Sequence, residues 1–304
     1  MNKIYTRVDD AYRDLIREIL DHGEDRTDRT GTGTRSIFGA MMKLDCRDGS
    51  MPVVSLKKTL WRTSIKEILW MMSGSDNIQP LVAQGVTIWT DWALKRYRAE
   101  TGDQISRKDF EQRLLADAGF SQIWGYTGRS YGAQYRDFRG ADGRSVDQVA
   151  AVLKLLRDRS DSRRIIFTAW NPPEIDEMAR YSLPPCVHTY QYSVRGDELH
   201  AISFARSTDC GLGLSYNIGA SAYLMNLFAL LSGLKPGVLT FMMADAHLYS
   251  NHIDAMAEVI ENPSCDNPQL EWVKRPETLD QAHDSQVNLV GYAPRDFRPL
   301  AVAV

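Results

Sequence analysis

Residues 186–206 read CVHTYQYSVRGDELHAISFAR, and this stretch decides the fold. Its two runs, CVHTYQYSV (186–194) and ELHAISFAR (198–206), are rich in β-branched and aromatic residues and predict a pair of strands. RRIIFTAW (163–170) upstream and VLTFMMAD (238–245) downstream read the same way. Between them the apolar stretch 219–234 is too long for a strand and reads as a buried helix. Further out, Val8, Tyr12, Leu15, Ile16, Ile19 and Leu20 recur at helical spacing over 8–21, with Gly23 as a stop. Short strands are expected at 36–44 and 51–57 around a turn at Asp48-Gly49. A helix near 64–73 takes Ser64 as N-cap and ends at Gly74, and others are expected near 146–157 and 247–260. The charged, weakly periodic segment 93–125 reads as a small helical insertion on the surface. Strands and helices follow one another without βαβ regularity. The expectation is one α+β domain, residues 1–304, with a large mixed β-sheet flanked by helices.

Composition narrows the function classes. The chain has 304 residues and a net charge of -3, so a coat for nucleic acid or anionic membrane is not the default. At 43% hydrophobic and 25% charged it is globular in type. No apolar run approaches the ~18 residues of a membrane span, and the polar start lacks a signal-peptide core. Cys46, Cys186, Cys210 and Cys265 form no CxxC pair, so neither zinc nor a disulfide framework is expected. These features predict a soluble protein of a reducing, cytoplasmic compartment, the host cytoplasm if the chain is virus-encoded.

Three groups of residues could carry chemistry. Cys186 follows two prolines at the mouth of a strand. Alone it reads as a small buried hydrophobe, but a nearby Arg could support its thiolate. His188 at i+2 invites a Cys–His thiol hydrolase reading, which strand geometry disfavours. Arg29, Arg163, Arg164 and Arg206 with Ser207 would make a phosphate clamp if they converge, and solvated strand ends if they do not. TGTGT lacks the ending of a P-loop. In DCGLGLSYN (209–217), Asn217 reads either as a helix N-cap or as a donor–acceptor for an amide edge such as that of uracil. His247 and His252 are spaced wrongly for a helical metal pair. Glu67, in the apolar helix IKEILWMM, sits at a rim or is buried with a raised pKa, as a general acid needs.

No one of these signals is specific, but their wording together is. DRTGTGT, SLKKTLWRTSIKEILW, GVTIWTDW, SYGAQYRDF, DSRRIIFTAWNP, LPPC, ARSTDCGLGLSYNI and DAHLYSNH resemble the thymidylate synthase family from about residue 8 to the C-terminal PLAVAV. The resemblance implies that Cys186 is the nucleophile adding to C6 of dUMP. Glu67 manages protons around O4 and the folate, and Tyr131 and Asp209 join it among the catalytic residues. Arg29, Arg206 and Ser207 hold the phosphate, with Arg163 and Arg164 reaching in from the second subunit of a homodimer. Asn217 reads the uracil edge, and His247 and Tyr249 the sugar hydroxyl. Lys57, Ile88, Trp89, Trp92, Asp209, Leu212, Gly213, Tyr216, Ala303 and Val304 contact the co-substrate, 5,10-methylenetetrahydrofolate. No metal, membrane or nucleic acid is implied.

Two outcomes are open for the one-carbon unit on C5. Hydride gives dTMP and dihydrofolate. Water gives 5-hydroxymethyl-dUMP and tetrahydrofolate. The sequence departs from usual synthase wording at Val187 (His is usual), Gly211 (a bulky aromatic), Ser215 (Pro), Ala220 (Ser) and Met243-Ala244 (Gly-Gly). The loss of an aromatic at Gly211 could open room for water. On these departures the sequence leans slightly to hydroxymethylation, with reductive methylation as the alternative.

Overall fold

The computed structural model describes residues 3–28 and 31–301. In chain order the strands are β1 (Glu24–Arg26), β2 (Thr34–Asp45), β3 (Phe138–Arg139), β4 (Ser145–Val146), β5 (Ile166–Thr168), β6 (Val187–Arg195), β7 (Glu198–Asp209), β8 (Lys235–Tyr249), β9 (Gln269–Trp272) and β10 (Val287–Val290). The α-helices are α1 (Val8–His22), α2 (Trp61–Met72), α3 (Gln79–Ala83), α4 (Thr90–Thr101), α5 (Arg107–Ala116), α6 (Ala118–Trp124), α7 (Tyr131–Arg136), α8 (Gln148–Asp158), α9 (Ile175–Tyr181), α10 (Gly213–Leu231) and α11 (Ile253–Val259). These elements cluster into two compact units, each assembled from separate stretches of chain.

The first unit (1–65, 152–166 and 186–303) holds the large mixed sheet. Its strands lie in the order β1-β2-β8-β7-β6, extended at the edge by β5, whose leading residue Ile166 belongs to this unit. β2 pairs antiparallel with β8, and β6 with β7, while β7 and β8 run parallel. The β6–β7 hairpin turns through Gly196, whose φ of 63° suits the first central position of a two-residue loop. Parallel strands need a crossover, and α10 supplies it between β7 and β8. That position explains its composition. Leu214, Ile218, Leu224, Leu227 and Phe228 face the interior around the helix with Ala220, Ala222 and Ala229. By length and composition alone α10 is long and apolar enough to cross a membrane, as buried core helices are, and most of it is buried in this fold. α1 turns Val8, Tyr12, Leu15, Ile16 and Ile19 onto β2 and closes at Gly23, whose N–H donates to Ile19 O.

The second unit (66–151 and 167–185) is mainly helical. The predicted insertion falls here and is helical, spanning the end of α4, α5 and α6. Ser106 and Asp117 cap α5 and α6 by accepting from Asp109 N and Phe120 N. Tyr97, Phe110, Phe120 and Trp124 form its small core, with ring centroids 4.9–5.6 Å from Tyr97. Leu94 and Leu114 are buried with these rings, and the scatter of so few apolar positions over three short helices is why the periodicity reads weakly.

Several expected elements differ. Residues 51–57 form no strand, although Met51 to Lys57 are all buried; only Ser50 bridges to Gln269. The strand expected over 163–170 is confined to Ile166–Thr168. Ser64 does not cap α2, which begins at Trp61, and lies buried one turn inside it. The helix expected from 247 starts at Ile253, because β8 runs on to Tyr249 with β2 on one side and β7 on the other.

Candidate functional site

The sheet topology brings one set of candidates to one end of the first unit. Cys186 immediately precedes β6, and antiparallel pairing sets it beside the last turn of β7. Arg206 N donates to Cys186 O at 2.9 Å, and Arg206 Nη2 lies 3.8 Å from Cys186 Sγ. Parallel pairing then sets Ser207 against Asp245 and Asp209 against His247. Antiparallel pairing of β2 sets Thr34 against Tyr249, so the Gly/Thr loop that precedes β2 reaches the same end. Asp28 tightens that loop by accepting from Gly33 N at 2.8 Å. Arg29 itself lies outside the described residues, as do Ala303 and Val304.

The electrostatics at Cys186 are opposed. Burial pushes the thiol above its ordinary value, Arg206 pulls it down, and Asp209 pushes it up. Burial prevails, so the expected help from an arginine is present but outweighed. His188 does not stand on Cys186's face by simple alternation. A bulge between Val187 and Thr189 interrupts the register there, and His188 Nδ1 engages Thr189 Oγ1 at 2.7 Å. Burial also pushes His188 below its ordinary value, which weakens the thiol hydrolase reading.

Asn217 is not an N-cap, since α10 begins four residues earlier at Gly213. Among the described residues its amide has no hydrogen-bond partner. A Cβ at Gly213 would stand 3.9 Å from its Nδ2, an ordinary van der Waals distance. Asp209 Oδ1 accepts from Gly211 N (2.9 Å) and Leu212 N (3.1 Å), fixing the turn into α10. Lys57 is buried, with Nζ donating to Ser215 Oγ at 3.2 Å, and burial pushes its pKa down to about 8. His247 is buried, its Nδ1 3.1 Å from Asp245 Oδ2, with Tyr249 edge-on at 5.3 Å. Tyr216 and Leu212 are half-buried on α10 and just before it. Arg163 and Arg164 are exposed ahead of β5, and neither guanidinium has a partner among the described residues. His247 and His252 do not share a ligand: His252 Nε2 is taken up by Ala301 O at 2.7 Å.

The second unit builds a different constellation. Glu67 Oε1 accepts from Trp89 Nε1 at 2.7 Å. Burial pushes the Glu67 carboxyl up to about 7, against the pull of that hydrogen bond. Around the Trp89 ring stand Trp70 (5.7 Å), Trp92 (5.9 Å) and Tyr131 (5.8 Å, edge-on). Ile88 is exposed and Trp92 half-buried. Sequence reasoning missed Trp70, although its place three residues after Glu67 puts both on one helix face. It also missed Asp245 as the partner of His247, two residues back on the same strand.

The family profile described as thymidylate synthase matches residues 10–304. The curated thymidylate synthase of Novosphingobium aromaticivorans is 44% identical, over 96% of each chain. Those of Rhodopseudomonas palustris and Zymomonas mobilis are each 42% identical, over 96% of this chain and 98% of theirs. Matched by that profile along nearly its whole length and by curated relatives at 42–44% identity, this chain belongs to the thymidylate synthase family.

Proposed function

We propose that this protein converts dUMP to dTMP by reductive methylation. The observation that carries the reading is Cys186 Sγ, 3.8 Å from the Arg206 guanidinium. A half-buried thiol needs a cation to form its thiolate, and the phosphate that Arg206 is expected to hold places the substrate beside the same cation. The thiolate forms a bond to C6, and the displaced electron pair makes C5 nucleophilic. Asn217's unpartnered amide can donate to O4 and accept from N3–H, the pattern uracil requires. Glu67, near neutrality in its affinity for a proton, can give or take one close to pH 7. The aromatic wall of Trp89 and Trp92 fits a fused heteroaromatic ring. Methylenetetrahydrofolate, bound there, would supply the carbon and the hydride.

Reduction is favoured over hydration for two reasons. The relatives similar to this chain carry the name thymidylate synthase. The room expected at Gly211 is also filled, because a Cβ there would meet His252 Nδ1 at 2.8 Å. Val187 and Met243 are buried too, at 5% and 2% exposure, so their departures are absorbed in packing. The reading includes a homodimer in which Arg163 and Arg164 reach the partner's phosphate, and their exposed guanidinium groups, without a partner among the described residues, support it. The test is covalent trapping with 5-fluoro-dUMP and methylenetetrahydrofolate. The parent should form the complex and Cys186→Ser should not; trapping by the variant at the parent's level would overturn the assignment.

A further inference from the structure

His252 is a buried imidazole that the chemistry above does not use. It follows β8 in a short 3-10 turn (Ser250–His252), is 1% exposed, and meets the Tyr249 ring edge-on at 5.8 Å. Its Nε2 lies 2.7 Å from Ala301 O. A carbonyl oxygen only accepts, so Nε2 carries the proton and donates. In the neutral ring that leaves Nδ1 bare. Nδ1 is fully buried and has no partner among the described residues. The same nitrogen faces Gly211: a Cβ built there would come within 2.8 Å of it and within 3.3 Å of Asp209 Oδ1. Contacts under 3.0 Å are not sustained by real side chains, and here the neighbour is a rigid ring in a packed interior.

We propose that His252 is a positioning residue that seats the C-terminal segment through Ala301. In this structure the imidazole stands where a side chain at 211 would reach, so a substitution at 211 presses on the ring. A bare buried nitrogen is unfavourable by itself, so the ring is held in place by what its other nitrogen secures. Because the ring also touches Tyr249, displacing it would disturb a residue expected at the sugar. The functional consequence rests on the dTMP reading above, whereas the seating of the tail does not.

Hydrogen–deuterium exchange on the full-length protein separates the two. In His252→Ala and in Gly211→Ala, amides over 295–301 should exchange about fivefold faster, the protection lost with one ordinary hydrogen bond, while β8 and α10 keep the parent's rates. His252→Gln places an amide N–H where Nε2 stood and should restore most of the protection. Unchanged exchange in His252→Ala, or loss in His252→Gln equal to that in His252→Ala, would overturn the proposal. Should His252→Ala fail to fold, Gly211→Ala decides: parent-like exchange over 295–301 overturns it. Under the dTMP reading the Ala variants should also raise KM for dUMP, whose sugar Tyr249 is expected to meet, more than they lower kcat. Faster exchange with unaltered kinetics would leave the tail contact standing and count against the kinetic consequence alone.

Discussion

Replacing Glu67 by Gln should make the protein more stable at pH 8 while removing activity. Burial raises the carboxyl from its ordinary 4.5 to about 7. Below about pH 4.5 the native and unfolded chains both hold the proton, and the group makes no pH-dependent difference. Between 4.5 and 7 the native state keeps a proton that the unfolded state has released, so stability falls as pH rises. Above 7 the native protein carries a carboxylate in a desolvated place. The difference of about 2.5, at 1.36 kcal/mol for each pKa unit, sets an upper bound of about 3 kcal/mol. Gln keeps an oxygen that can accept from Trp89 Nε1 and has nothing to ionise. Urea unfolding at pH 5 and pH 8 measures this directly. Glu67→Gln should match the parent near pH 5 and exceed it by about 2–3 kcal/mol at pH 8. A stability difference that is the same at both pH values, or a variant weaker at pH 8, would refute the claim that this carboxyl is held against its desolvation.

Two further outcomes follow from the sheet-end residues. Asn217→Asp should shift preference from dUMP toward dCMP, since one mismatched buried polar pair costs about 1–3 kcal/mol, or roughly fivefold to a hundredfold and more in kcat/KM; steady-state rates with both nucleotides check it. Mixing inactive Cys186→Ala with inactive Arg164→Ala chains should restore activity through hybrid dimers if the arginines serve the partner's site, and no recovery after confirmed subunit exchange would exclude that arrangement.

The sheet core was legible because its strands carry strong local patterns. CVHTYQYSV and ELHAISFAR became β6 and β7 with small boundary changes. The misreadings share a cause, which is tertiary pairing that no local window contains. HLY (247–249) reads as the start of a helix, yet β8 holds it in a strand because neighbours pair with it on both sides. Asn217 resembles a cap because Asn usually serves as one, but the turn before α10 is fixed by Asp209. At the site, residue types and order were readable, while balance was not. That Arg206 would approach Cys186 followed from its place near a strand end; that burial would outweigh it depends on the surrounding packing. Gly211 shows the limit most clearly. Its missing side chain read as empty space, and only the fold reveals His252, 41 positions later in the chain, standing against it.

The fate of the one-carbon unit distinguishes reduction from hydration at C5. Single-turnover reaction of the purified protein with dUMP and methylenetetrahydrofolate should be followed by separating nucleotide and folate products together. Reductive methylation yields dTMP and dihydrofolate in equal amounts. Formation of 5-hydroxymethyl-dUMP with tetrahydrofolate would contradict it.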